Sequence, residues 1–154
     1  MIFGVDISTK KIAIASLYGG VPHIVELGPY SSKARWDERL ELLYWDFLRF
    51  VQEKIVTDPT NCVFIEEIHY VQNYQTLIKL VHVLAMCRIV LVHHGVRCVY
   101  VNNKTWKKGL GVKGGKDAYR KKAIQLFGDN VNSLSQDAID ALLIAQWGAQ
   151  QKVT

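Results

Sequence analysis

The sequence predicts an α/β fold, a mixed sheet with helices on its faces. Two patterns carry this expectation. The chain opens with three β-rich runs divided by short turn signals, and it then alternates helical periodicity with short apolar runs. Its 154 residues, 49% of them hydrophobic, suffice for one domain with a single core, spanning 1–154.

The three opening strands are Ile2–Ile7, Ile12–Tyr18 and His23–Gly28. Ser8-Thr9-Lys10 and Gly19-Gly20-Val21-Pro22 separate them, and both gaps are short enough for antiparallel hairpins. A long helix follows from Trp36 to Val56, where Leu40, Leu43, Phe47, Leu48, Val51 and Ile55 recur at helical spacing. Asp58-Pro59 stops it. Cys62–Ile65 reads as a short strand ending in Glu66-Glu67. A second helix runs from Tyr74 to His94 and is closed by Gly95. It is apolar nearly all round, whereas a helix lying on one sheet needs a single apolar stripe. It is therefore expected to bury two faces, either enclosed in the domain or against a second copy of the chain. Val96–Val101 is the fifth strand, Asn102–Lys116 a Lys- and Gly-rich loop, and Asp117–Phe127 a third helix. Ser135 caps a last helix that reaches about Gln150.

Charge points to a polyanionic partner. The chain carries a net +5, and the window from Arg97 to Lys122 holds nine basic residues against one acid, Asp117. A field of one sign that dense attracts nucleic acid. Cys62, Cys87 and Cys98 lie in apolar runs without zinc-type spacing, as buried thiols do in a reducing compartment. The N-terminus MIFGVDIS lacks the pattern of a signal peptide. The most apolar segment, Leu80 to Val92, is interrupted by His82 and Arg88 and falls short of the roughly 20 residues a bilayer requires. A soluble, cytoplasmic protein with no membrane partner is expected.

Four acids are candidates for chemistry. Asp6 ends an otherwise apolar strand, where a carboxylate is costly unless something pairs with it. Asp137 and Asp140 are three apart, one turn from each other on one helix face, among Ala138, Ile139, Ala141 and Leu142. The helix dipole accounts for Asp137 in the first turn, and less well for Asp140. Two carboxylates held together in an apolar setting call for a cation. Glu66 and Glu67 close the fourth strand and point to opposite faces, so only one of them can share a site with Asp6. Spacing does not say which.

The Asp closing strand one (Gly4-Val5-Asp6), the Ile65-Glu66 pair, the final Asp137, Asp140, Ala141, Leu142, and Thr105-Trp106-Lys107-Lys108 with Lys116 together resemble the RuvC-type Holliday-junction resolvases, phage members among them. The resemblance covers nearly the whole chain. It implies an RNase H-like sheet of five strands, the first three antiparallel, with helices on both faces. It selects Glu66 over Glu67, with Asp6 bridging the metals. It also implies a homodimer, here assigned to the Tyr74–His94 helix, and Mg²⁺-dependent cleavage of four-way junctions, Mn²⁺ substituting. The pattern departs from the family in three places. Asp6-Ile7-Ser8 stands where Asp-Pro-Gly is usual, Glu67 where Gln is common, and His69 where an aromatic often opens base pairs, with Tyr70 next.

The expected reaction is phosphodiester hydrolysis by two ions about 4 Å apart, leaving 5′-phosphate and 3′-hydroxyl ends. Asp6, Glu66, Asp137 and Asp140 would hold the ions. His69, Tyr70, Lys104, Lys107, Lys108, Lys113, Lys116 and Arg120 are the candidate DNA contacts. Three other functions fit parts of the sequence. A nuclease for flaps, forks, RNA–DNA hybrids or structured RNA would use the same acids. A binder of branched DNA that does not cut would not need all four. An actin-like kinase or ATPase would share Asp6-Ile7-Ser8-Thr9, but it needs two lobes and a second glycine-rich motif.

Overall fold

The computed structural model describes residues 1–69 and 71–151. Five strands form one mixed sheet: β1 (Ile2–Ile7), β2 (Ile12–Tyr18), β3 (Val21–Leu27), β4 (Cys62–Glu66) and β5 (Arg97–Val101), in the order β3-β2-β1-β4-β5. β1, β2 and β3 pair antiparallel, and β4 and β5 join in parallel. The helices are α1 (Trp36–Phe50), α2 (Tyr74–His93), α3 (Asn103–Gly109), α4 (Lys116–Phe127) and α5 (Gln136–Ala149).

Side-chain alternation along the strands divides the core in two. Phe3 and Val5, Ile12 and Ile14, and Val63 and Ile65 face a layer built from Leu43 and Phe47 of α1 and Val83, Cys87, Val90 and Leu91 of α2. The opposite face presents Ala13, Ala15, Cys62 and Phe64 to α5, α3 and α4. Small residues on that second face let α5 lie close to the sheet. Gly4 carries this furthest, for a Cβ there would stand 2.1 Å from the Ala141 carbonyl oxygen.

Several element limits differ from the sequence expectation. β3 starts at Val21 rather than His23, because Gly19 and Gly20 alone make the turn, both at positive φ (56° and 83°). Pro22 is accommodated because β3 is an edge strand. The long first helix changes winding, passing at Val51–Ile55 into a π-helical turn in which the Val56 N–H reaches the Val51 carbonyl. The segment 102–116 is not all loop. Asn102 caps α3 by accepting from the Lys104 N–H, and Trp106 and Leu110 anchor it in the core.

α2 is not enclosed. One side is buried through Val83, Cys87, Val90 and Leu91, while Val81, Ile89 and Val92 stand exposed. At 20 residues and mean hydropathy 1.8 it also meets the length and composition of a membrane span, which the shorter Leu80–Val92 segment does not suggest. Its apolar character has one explained face, packed on α1 and the sheet, and one uncovered face.

Candidate active site

Three elements converge at one end of the sheet. The parallel register places Val5 beside Ile65, so Asp6 and Glu66 continue side by side. Glu66 follows Phe64 by two residues and Asp6 follows Gly4 by two, so both share the face covered by α5. Ser135 opens α5 by accepting from the Ala138 N–H, which sets Asp137 and Asp140 in its first turns. Glu67, the next residue, borders both the cleft that Asp6 and Glu66 line and a cavity of about 450 Å³ with Leu84 and Arg88 of α2 and Tyr100.

Electrostatics record how closely the four acids approach one another. Burial pushes the Asp6 carboxyl well above the usual carboxylate range, and Asp140, Glu66 and Asp137 push it further while Lys11 opposes. Burial likewise raises Asp140, to about 6. A hydrogen bond from Gln136 offsets part of that rise, Glu66 and Asp137 add to it, and Lys107 opposes it. Two buried carboxylates whose charge is penalised by their acidic neighbours form a site short of positive charge.

Three of the four are held by donors. The Trp106 indole N–H donates to Glu66 Oε2 at 2.7 Å, and the Gln136 amide to Asp140 Oδ1 at 2.8 Å. Lys11 Nζ lies 3.3 Å from Asp137 Oδ2, 2.7 Å from Glu26 Oε1, and 3.0 Å from the hydroxyl of the cap residue Ser135. Among the described residues no three acidic, thiol or imidazole groups stand close enough together to hold a metal ion. The donor set is nonetheless all hard oxygen, and Lys11 and Lys107 only partly offset its repulsion, a chemistry that suits Mg²⁺ or Mn²⁺.

Asp6, Glu66, His69 and Asn103 line a cleft of about 190 Å³ at this edge. Larger cavities, such as the one of about 450 Å³ lined by Tyr30, Asp46 and Arg49, lie away from the four acids. A polymeric substrate needs an open edge more than a deep pocket.

No protein-family model and no curated protein matches the sequence, whereas solved structures match the fold. The structure of Thermus thermophilus RuvC in complex with a Holliday-junction substrate aligns with a TM-score of 0.78 at 15% identity, covering 96% of this chain and 91% of that one. The fold is that of RuvC. A second Thermus thermophilus RuvC structure aligns at TM-score 0.75 and 16% identity, covering 96% and 92% of the two chains. Ydc2, the yeast mitochondrial Holliday-junction resolvase, aligns at 0.64 and 14%, covering 97% and 79%.

On this RuvC fold the candidate DNA contacts separate. Lys107 lies near enough to Asp140 to favour its charged form, with its Nζ 5.1 Å and 4.6 Å from the Trp106 and Tyr119 ring centroids. Lys104, Lys108, Lys113 and Lys116 are exposed on α3, the following loop and the start of α4. Lys113 borders a separate groove with Lys121 and Lys122. Arg120 is engaged internally, donating to the carbonyls of Asn132 and Leu134 just before α5. His69 Nε2 accepts from the Asn103 N–H at 2.9 Å, which ties the ring to the start of α3. Tyr70 lies outside the described residues.

Lys11, Trp106 and Gln136 were not singled out from the sequence as site residues. For Gln136 the signal was available, since a glutamine four residues before Asp140 faces it on a helix. A tryptophan between lysines, inside a segment read as loop, hinted at Trp106.

Proposed function

We propose that this chain is a structure-selective endonuclease that cleaves four-way junctions and other branched DNA by phosphodiester hydrolysis, leaving 5′-phosphate and 3′-hydroxyl ends. The observation that carries the proposal is the convergence of Asp6, Glu66, Asp137 and Asp140, from two strands and one helix, where Glu66 and Asp137 raise the cost of charge on both Asp6 and Asp140. A stable protein tolerates such a cluster when function requires it. The RuvC fold supports the choice of substrate, because a structural neighbour was solved on a Holliday junction.

Asp6, Glu66, Asp137 and Asp140 would hold two divalent cations, Mg²⁺ or Mn²⁺. Bound there, such ions supply an activated water and neutralise charge developing on the phosphate and the leaving 3′-oxygen. The protein's own part is positional. β1 and β4 fix Asp6 beside Glu66, and Lys11 and Ser135 fix the start of α5 with its two aspartates. Lys107, beside Asp140, would take a phosphate oxygen next to the cut, and the exposed lysines of α3 and α4 would track the backbone.

A second copy of the chain would cover the exposed Val81, Ile89 and Val92 of α2, giving a homodimer. Two sites related by a two-fold axis match a junction of two-fold symmetry. The test is cleavage of a junction, flap, fork and hybrid panel in Mg²⁺, Mn²⁺ and Ca²⁺. Preferential incision of the junction in Mg²⁺ and Mn²⁺ supports the proposal. Preference for a hybrid or flap would reassign the substrate, and no metal-dependent incision would remove the enzyme.

A further inference from the structure

We infer that Trp106 is a positioning residue for Glu66, its indole N–H aiming the carboxylate so that the second oxygen is left for a metal. This inference rests on reading the four carboxylates as a metal site.

Trp106 is fully buried, the largest such side chain among the described residues. A buried indole N–H requires an acceptor, and this one has a site carboxylate at 2.7 Å. That bond occupies Glu66 Oε2 and leaves Oε1. The other donors at the site are of a different kind. Gln136 is a long amide on the same helix as the acid it touches, and Lys11 divides its ammonium among Glu26, Ser135 and Asp137. Trp106 is a rigid ring. Tyr119 packs against it at 5.7 Å between centroids, and the Lys107 ammonium lies near both rings. It cannot swing away without displacing α3 from the core. Ligand orientation by such a partner is a recognised determinant of metal affinity.

The position in the chain adds a consequence. The donor belongs to the helix that presents Lys104, Lys107 and Lys108. The element that would meet DNA phosphates is therefore the element that holds a ligand in place.

Trp147 provides the control. It also packs beside α3, where a Cβ on Gly109 would meet its ring, and it lies edge-on to Phe64 at 5.8 Å. Trp106→Phe and Trp147→Phe should both fold, as judged by circular dichroism. Mn²⁺ binding to the DNA-free protein, measured by titration calorimetry, should weaken about tenfold or more in Trp106→Phe, within the range for lost ligand-orienting partners, and stay near the wild-type value in Trp147→Phe. Unchanged affinity in Trp106→Phe, or equal weakening in both, overturns the inference. Wild-type affinity in Glu66→Gln instead removes the metal-site reading itself. Should Trp106→Phe not fold, the wild-type protein decides. Its Trp106 indole N–H resonance, assigned by elimination in Trp36→Phe, Trp45→Phe and Trp147→Phe, should move on Mg²⁺ addition while those of Trp36 and Trp45 stay. A stationary Trp106 signal overturns the inference.

Discussion

Gly4 of β1 lies directly against Ala141 of α5, where a Cβ would come within 2.1 Å of the carbonyl oxygen. Asp6 is two residues beyond Gly4, and Asp140 is one residue before Ala141. The backbone contact therefore sets how near the strand's acid comes to those of the helix. Gly4→Ala should force α5 away from the sheet, because a backbone oxygen cannot rotate aside. The expected loss is about 3 kcal/mol or more, at the upper end of overpacking costs, measured by urea unfolding. An unchanged midpoint would contradict the contact.

The raised acids make a pH prediction of definite sign. The folded protein holds protons on Asp6 and Asp140 at pH values where the unfolded chain has released them. Stability contributed by Asp140 is therefore lost as pH rises from about 4 through about 6, where it ionises, and that contributed by Asp6 is lost as pH rises through its own raised value. Asp140→Asn should raise metal-free stability at pH 7 by on the order of 2 kcal/mol. Calorimetric melting between pH 4 and 7 checks this, and a less stable Asp140→Asn protein at pH 7 would refute it.

Mg²⁺ should act in the opposite direction. At a hundred times its dissociation constant it should stabilise the wild-type protein by about 2.7 kcal/mol. Asp140→Asn should gain much less. Equal thermal shifts in the two proteins would argue that the ion binds elsewhere.

Lys11 joins Glu26, Ser135 and Asp137 at the start of α5. Lys11→Met should cost about 1 kcal/mol at pH 7, a modest figure because the partners are part-exposed. Burial pushes the Glu26 carboxyl up, but hydrogen bonds from Lys11 and Ser135 and the Lys11 charge outweigh it and hold it below its ordinary value of 4.5, so its contribution is present above that pH and lost as pH falls through the folded value. The gap between wild type and Lys11→Met should therefore narrow in acid. A constant gap from pH 7 to pH 3 would count against the network.

The uncovered face of α2 predicts self-association. Ile89→Glu, at a position 66% exposed in the single chain, should leave the fold intact and convert a dimer to a monomer in sedimentation at micromolar concentration. A wild-type monomer at that concentration removes the dimer.

What the sequence disclosed follows from what its patterns encode. β-rich and apolar runs bounded by turn signals, together with helical spacing, made all five strands and the long helices legible. Turn chemistry was legible only in part: Pro22 read as a turn residue because edge position, which permits proline, is a tertiary fact. α3 was hidden because its seven residues, Asn-Lys-Thr-Trp-Lys-Lys-Gly, carry no periodicity. The choice between Glu66 and Glu67 needed the register of β4 against β1 and the side on which α5 lies. Lys11 and Trp106 reach their partners across 126 and 40 residues, and no local pattern encodes such distances.

The central claim is that the acids of β1, β4 and α5 cut DNA together. Its most direct test is incision of a labelled four-way junction in Mg²⁺ by Asp6→Asn, with junction binding followed in parallel. Binding should survive and incision should vanish. Incision at the wild-type rate by Asp6→Asn would contradict the account.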